Sequence, residues 1–324
     1  MNRTVTADRG DAGRRLDLVL RRHLVDVATA TRTRVQSWIE DGQVSVNGTT
    51  VRRVASRAAF GDLVIVALPD VEPRGEMAPE DVALDVVFED EHLLVVNKPA
   101  GVVVHPTYKN MQGTLMNALL WRARGWTAGQ RPSFAGRLDK LTSGLAVVAK
   151  TAAVHAALQR TLASSRSEKD YLAVVFGRVN VARGTIDLRL SRDPGDRRRV
   201  VASETVGMAS LTRFERLDRV AAPGVGLALL CCRLATGRTH QIRVHLSARG
   251  WPIVGDPVYG KPRGALVDDP VLAAAVQTFP RQALHAWRVG FRHPITGEPV
   301  QLEVPPPPDI EGLLAVAGLR VRSA

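Results

Sequence analysis

The sequence predicts an α+β protein in two parts: a small leading module of two helices and a short antiparallel sheet, then a larger domain built on a mixed, largely antiparallel sheet. Three observations carry this expectation. Two amphipathic segments precede a hairpin signal near the start; an acid-rich window from Pro69 to Glu91 divides the chain of 324 residues; and beyond it short apolar runs outnumber helical stretches, with long irregular connections between them. The expected boundaries are 14–68 for the module, 69–81 for a linker, 82–305 for the main domain and 306–324 for a C-terminal tail.

In chain order, Leu16 to Leu24 and Arg34 to Ile39 read as amphipathic helices, and Val44-Ser45-Val46-Asn47-Gly48 as a hairpin. Asn-Gly between alternating valines suits a two-residue turn that needs positive φ at both positions. Asp62 to Val66 completes that sheet. In the main domain strands are expected at Val86 to Phe88, Leu93 to Val96, Leu145 to Ala149, Tyr171 to Phe176, Leu227 to Leu234 and Gln241 to His245, and helices at Thr114 to Ala123 and Ala152 to Ala163. Pro305 to Pro308 reads as an extended polyproline segment that ends the core and leads to a short helix near Ile310 to Ala317.

The composition, 45% hydrophobic and 23% charged, is that of an ordinary globular chain. With 44 Lys and Arg against 32 Asp and Glu the formal charge is +12, and the pI is about 10.7, as a phosphate-rich partner selects for. Nothing approaches the roughly 18 uninterrupted apolar residues of a membrane span. Met1 to Arg15 lacks the apolar run of a secretory leader, so no membrane association and a cytoplasmic location are expected. Cys231 and Cys232 are adjacent inside an apolar stretch, which suits buried thiols better than a disulfide or metal site. His240 and His245 bracket Arg243 at a spacing that alternation along a strand does not place on one face; they read as structural or RNA-facing. No further Cys or His cluster supplies the rest of a zinc site, and the chain has no glycine-rich phosphate loop or dinucleotide fingerprint.

The segment Gly136-Arg137-Leu138-Asp139-Lys140-Leu141-Thr142-Ser143-Gly144-Leu145 sets one acid between two bases, in a polar loop just before an apolar run. A carboxylate at a strand's edge can reach a ligand, and flanking cations favour its ionised, nucleophilic form. From spacing alone the plainer account of Asp139 is a surface ion pair or an Asx turn. Likewise Tyr171 alone reads as a core aromatic and Arg243 alone as a structural ion-pair partner.

A wider pattern shifts that balance. Arg137-Leu138-Asp139 with Thr142-Ser143-Gly144-Leu145 resembles the catalytic motif of the RluA-like pseudouridine synthases. Glu89-Asp90 through Val95-Val96-Asn97-Lys98-Pro99-Ala100-Gly101, with His105-Pro106, is similar to that family's first motif, and Gly113-Thr114-Leu115 and Asn117-Ala118-Leu119-Leu120 follow in place. Lys169-Asp170-Tyr171 through Gly177, Thr236-Gly237-Arg238-Thr239-His240-Gln241-Ile242-Arg243-Val244-His245-Leu246, Val254 through Gly260 and Gln282 through Ala286 complete a resemblance covering nearly all of 82–305. One departure is Gly136, where many relatives carry histidine.

The resemblance implies that Asp139 is the essential carboxylate, that Arg243 pairs with it, and that Tyr171 is the active-site tyrosine. It implies a uridine flipped from the stack, cleavage between ribose carbon 1 and base nitrogen 1, and rejoining through carbon 5, without net redox change or group transfer and so without cofactor or metal. Asp139 either attacks carbon 1 or abstracts the proton on carbon 2; the sequence leaves both open. Tyr171 stacks on the uracil and helps remove the carbon 5 proton. Arg137 fills the vacated space in the RNA or holds a flanking phosphate.

The leading module, with Arg15-Leu16-Asp17, Thr31-Arg32-Thr33-Arg34, Val46-Asn47-Gly48 and Gly61-Asp62, resembles the RNA-binding domain of ribosomal protein S-four. Its nine arginines, among them Arg14, Arg15, Arg32 and Arg34, face five acids in that window. A second basic element, Arg197-Arg198-Arg199, is expected on a loop beside the cleft. The motifs look most like the RluD-like branch acting on large-subunit ribosomal RNA, so the expected partner is that RNA or its assembly intermediate, met by a monomer. The alternatives are a transfer RNA synthase and a non-catalytic ribosome-assembly factor, against which the joint presence of Asp139, Tyr171 and Arg243 argues. A glycosidic hydrolase would need a second carboxylate, for which no motif stands.

Overall fold

A computed structural model describes residues 2–24, 27, 30–68, 77–106, 110–196, 198–220, 226–260 and 267–321. The chain divides into two compact units, Met1–Glu76 and Met77–Ala324.

In the first unit the elements are β1 (Asn2–Thr6), α1 (Leu16–His23), α2 (Arg32–Glu40), β2 (Val44–Val46), β3 (Thr49–Thr50) and β4 (Leu63–Ala67), with the antiparallel sheet ordered β1-β4-β2-β3. Asn47 (φ 50°) and Gly48 (φ 82°) form the two-residue turn that the sequence predicts. Leu16, Leu20 and Leu24 meet Val35, Trp38 and Ile39 across the helix pair and pack on Val44, Val64 and Val66. The Thr31 side chain caps α2 by accepting from the Arg34 N–H. The unit begins earlier than position 14: β1 pairs with β4 from Asn2↔Ala67 to Thr6↔Leu63. Most of the expected linker, 69–76, lies outside the described residues. Its end does not hang free, because Asn117 Nδ2 donates to the Ala78 carbonyl at 2.8 Å and the Glu80 carboxylate accepts from the Gly113 N–H.

The second unit comprises β5 (Val86–Glu89), β6 (Leu93–Lys98), α3 (Leu115–Arg122), β7 (Ser133–Phe134), β8 (Ser143–Ala149), α4 (Ala152–Ala163), β9 (Glu168–Phe176), β10 (Arg183–Asp187), β11 (Arg189–Arg192), β12 (Val200–Ser203), β13 (Leu211–Val220), β14 (Leu227–Leu234), α5 (Gln241–Ala248), α6 (Pro270–Thr278), β15 (Leu284–Arg292), β16 (Pro299–Glu303) and α7 (Pro308–Ala317). The main sheet runs β10-β13-β14-β9-β15-β8-β6-β5, with β16 on β15 and β7 on β8; β11 and β12 form a separate hairpin. Every pairing is antiparallel except β15 with β8, so the sheet is mixed and largely antiparallel as expected.

Both faces of the central strands are buried, and side-chain alternation assigns the helices to them. Leu94, Val96, Ala146 and Val148 pack under Leu115, Met116 and Leu119 of α3. On the opposite face Leu93, Val95, Val147 and Ala149 pack under Val154, Leu158 and Leu162 of α4. Thr114 opens α3 with a capping box to Asn117, and Thr151 caps α4. The third cluster joins β9 and β14, including Cys232, to α5, α6 and α7. Both cysteines are free, and burial pushes the Cys231 thiol up to about 12.

One element of the main domain needs correction. Gln241 to His245 is not a strand but the start of α5: Ile242, Val244 and Leu246 alternate as strand residues do, yet Gln241 Oε1 accepts from the Arg238 N–H at 3.0 Å and fastens a helical turn there. The short helix expected near Ile310 to Ala317 is present as α7, and it packs on the main domain. Ile310, Leu313, Leu314 and Ala317 of α7 enter the third core cluster, and Arg281 grips Asp309 through two hydrogen bonds of 2.6 and 2.8 Å.

The parallel contact of β15 with β8 is short, His285↔Ser143 and Ala286↔Gly144. Gly144 has φ 109°, and a Cβ there would stand 2.2 Å from the Ala286 carbonyl oxygen. Gly144→Ala is therefore expected to lower stability by about 2–4 kcal/mol through strain and forced separation of the strands. A urea titration followed by tryptophan fluorescence would measure it, and an unchanged midpoint would refute the close-approach argument.

Candidate active site

Asp139 sits on the loop between β7 and β8, and that loop is held from beneath. Buried Lys98, at the end of β6, donates its three N–H groups to the carbonyls of Pro99 (2.8 Å), Val102 (2.9 Å) and Lys140 (3.1 Å). Burial pushes its ammonium down to about 7, Arg281 adding to the shift and Asp139 opposing it. The Gly101 N–H also donates to the Lys140 carbonyl. Further along, Arg281 donates to the Leu141 carbonyl, Gln282 to Thr142 Oγ1, and Ser143 Oγ lies 3.0 Å from His285 Nδ1. The first-motif lysine thus serves to fix the backbone beside the carboxylate, a role that the sequence pattern did not disclose.

Helix α5 carries Arg243 into the same place. Its Nε and Nη2 donate to the two oxygens of buried Asp256 at 2.7 and 2.8 Å, leaving Nη1 to donate to Asp139 Oδ2 at 2.9 Å. The guanidinium is planar, so a bidentate hold on one carboxylate aims the remaining nitrogen. Asp256 Oδ1 is itself held by the Val258 and Tyr259 N–H groups. Burial works against both charges; the pairing more than reverses it, lowering the Asp256 pKa and raising that of Arg243.

A cavity of about 460 Å³ opens over Asp139, lined also by Tyr171, Arg137, Leu145, Leu234 and Arg238. Tyr171 stands on β9, and burial, with Asp139 adding to it, pushes its hydroxyl pKa up. The structure therefore brings together Asp139, Tyr171, Arg243 and, exposed at the cavity, Arg137. Gly136 lines the same cavity, and a Cβ built there meets nothing within 4 Å. His245 is structural, between Thr212 Oγ1 and the Leu188 carbonyl. His240, in contrast, places Nε2 3.8 Å from Asp139 Oδ2.

The basic residues expected to meet RNA are not all alike. Arg14 and Arg32 are exposed on the first unit and Arg34 is half-buried, whereas Arg15 is committed to buried Asp17 by two hydrogen bonds. Arg198 and Arg199 lie at the β11–β12 hairpin, Arg198 paired with Asp196; Arg197 lies outside the described residues. Among the described residues, Asp8, Asp11 and His23 approach a metal-ligand cluster. The Arg22 guanidinium bonds both carboxylates at 2.8 Å and supplies positive charge to them.

A nucleotide-scale cavity with an arginine-clamped carboxylate, on a mixed sheet in a basic protein, describes an enzyme acting on nucleic acid. Residues 92–248 match the model of the family described as RNA pseudouridylate synthase. The chain belongs to this family, and its activity is the isomerisation of uridine to pseudouridine in RNA. It is 41% identical to the protein named ribosomal large subunit pseudouridine synthase D of Xylella fastidiosa, over 97% of this chain and 92% of that one. A protein of the same name from Xanthomonas campestris is 41% identical over 94% of this chain and 89% of its own. Among solved structures, human RNA pseudouridylate synthase domain containing 1 superposes with a TM-score of 0.54 at 30% identity, covering 76% of this chain and 90% of that chain.

Proposed function

We propose that this synthase modifies large-subunit ribosomal RNA, with Asp139 as the catalytic carboxylate. The observation that carries the site assignment is the aimed pairing: Arg243, fixed by Asp256, presents one nitrogen to Asp139 Oδ2 and leaves the other carboxylate oxygen unengaged by it. The names of the Xylella and Xanthomonas relatives support the choice of RNA.

The uridine must leave its stack to reach Asp139, at a cost of about a few kcal/mol. Asp139 then acts on the ribose, by attack at carbon 1 or by removal of the carbon 2 proton, while the bond to nitrogen 1 breaks. The uracil turns, carbon 5 bonds to carbon 1, nitrogen 1 gains a proton and carbon 5 loses one. Tyr171 offers its ring to the base; with its hydroxyl kept protonated, it is a hydrogen-bond donor before it is a base. Exposed Arg137 supports the vacated position in the RNA or a flanking phosphate. No step calls for a metal or cofactor.

The first unit acts as an S-four-like RNA-binding domain, a reading supported by exposed Arg14 and Arg32 and by the arginine excess of 14–68. Action as a monomer in the cytoplasm is part of the same reading, and an RNA substrate supports the location. Among the described residues no helix is long and apolar enough to cross a membrane.

The test is a map of pseudouridines, by carbodiimide-dependent primer-extension stops, in ribosomal RNA from cells lacking the gene and from cells rescued with wild type or Asp139→Asn. Large-subunit stops lost in the deletion and restored by wild type alone are expected. Persistence of every such stop, with losses in transfer RNA instead, would overturn the substrate assignment.

A further inference from the structure

His240 is a non-glycine residue in the left-handed region (φ 56°), a conformation that costs free energy and persists where the surroundings enforce it. It caps the N-terminus of α5 without a side-chain bond to the helix. Its imidazole is instead engaged at Nδ1, which lies 2.9 Å from the Tyr259 hydroxyl. That hydroxyl already accepts from the Val200 N–H at 2.9 Å, at the start of β12.

Donor counting allows one direction for this chain that ends with a proton on Nε2. The Val200 N–H occupies an acceptor site on the Tyr259 oxygen, so the hydroxyl proton is free to point at His240 Nδ1. A neutral imidazole that accepts at Nδ1 carries its proton on Nε2. Burial lowers the His240 pKa, with Arg243 and Arg137 reinforcing it against Asp139 and Asp256, which favours the neutral ring. Nε2 is the atom that stands 3.8 Å from Asp139 Oδ2, beyond hydrogen-bond range but within a small closure of it. Tyr259 is held in turn: its ring centre lies 5.1 Å from the Arg243 guanidinium carbon, and its N–H donates to Asp256.

We propose that His240 is a positioning residue for Asp139, its Nε2–H turned toward the carboxylate by the Val200–Tyr259–His240 chain and closing on Oδ2 when substrate binds. Arg243 and His240 then hold the same oxygen from two sides and leave Oδ1 to face the ribose. The inference rests on Asp139 being the catalytic carboxylate.

The test uses the full-length protein in excess over bulk ribosomal RNA from a deletion strain grown on uridine tritiated at carbon 5, with tritium release as the single-turnover readout. Glutamine places an amide nitrogen near the imidazole Nε2 position; asparagine tolerates the left-handed backbone better but reaches only as far as Nδ1. His240→Gln is expected to stay within about threefold of the wild-type rate. His240→Asn and Tyr259→Phe are expected to be slower by about tenfold or more, as for other partners that orient a reactive group, with half-saturating enzyme concentrations within about twofold of wild type. A purely conformational role predicts the opposite order, with Asn equal to or faster than Gln, and that order would overturn the proposal. So would an unslowed Tyr259→Phe. Nitrogen-15 histidine spectra of the wild-type protein decide independently of any variant's folding: an Nε2–H tautomer at His240 supports the proposal and an Nδ1–H tautomer sinks it. Asp139→Asn in the same assay separates the two readings, because its retention of activity would remove the catalytic assignment itself.

Discussion

Asp139→Asn is expected to bind ribosomal RNA as tightly as wild type and to release tritium from uridine carbon 5 slower by about 10⁴-fold or more, the scale seen when the group that makes or breaks the covalent bond is removed. The substitution keeps shape and one carbonyl oxygen, so Arg243 Nη1, now 2.9 Å from Oδ2, retains an acceptor. What is lost is the anion, because a neutral amide neither attacks ribose carbon 1 nor takes the proton from carbon 2. The backbone supports, from Lys98, Gly101 and Arg281 to the Lys140 and Leu141 carbonyls, do not involve the substituted side chain. Filter binding should therefore give an unchanged dissociation constant while single-turnover tritium release collapses. A residual rate within tenfold of wild type would remove Asp139 from the chemistry and reduce its pairing with Arg243 to a structural one.

Much of this site was legible before the fold was, and the reason is local. The residue types of the Asp139 loop stand together in one contiguous motif, although their partners come from afar: Gly144 allows the close approach to Ala286, and Thr142 and Ser143 meet Gln282 and His285. Helices α4 and α3 and strand β14 were equally readable, since each carries its own periodicity. By contrast α5 misled, because five residues with alternating apolar positions satisfy a strand as well as a buried helix. Strands β10 to β13 were missed, their arginine-rich pattern giving weak alternation; Arg183, Arg189, Arg213 and Arg219 lie on the outer part of the sheet or the hairpin, where one face meets water. The partnerships of Lys98, Asp256, Tyr259 and His240 were invisible for another reason. Each depends on which carbonyl, carboxylate or hydroxyl a distant segment delivers, and no spacing within a motif encodes that.

Asp256 is where such a partnership should show its largest effect on stability. Its carboxylate has no exposed surface, and it satisfies two of the nitrogens of Arg243, whose side chain is 4% exposed. Removing one partner of a buried pair strands the other charge, so Asp256→Ala is expected to destabilise the protein by about 3–5 kcal/mol. Arg243, released from the fork, is then free to turn more of its donors onto Asp139, occupying the oxygen that should face the ribose. Activity should be lost even at temperatures where the variant remains folded. Arg243→Lys separates these effects. It keeps the charge between Asp256 and Asp139 but not the planar fork that aims one nitrogen while two others are held, so its stability loss should be smaller and its rate loss about 10²-fold. Urea midpoints and single-turnover tritium release on the same preparations measure both. If Asp256→Ala unfolds at the wild-type midpoint, the clamp contributes nothing to the fold. If Arg243→Lys turns over at the wild-type rate, a point charge beside Asp139 suffices and the aimed geometry is incidental.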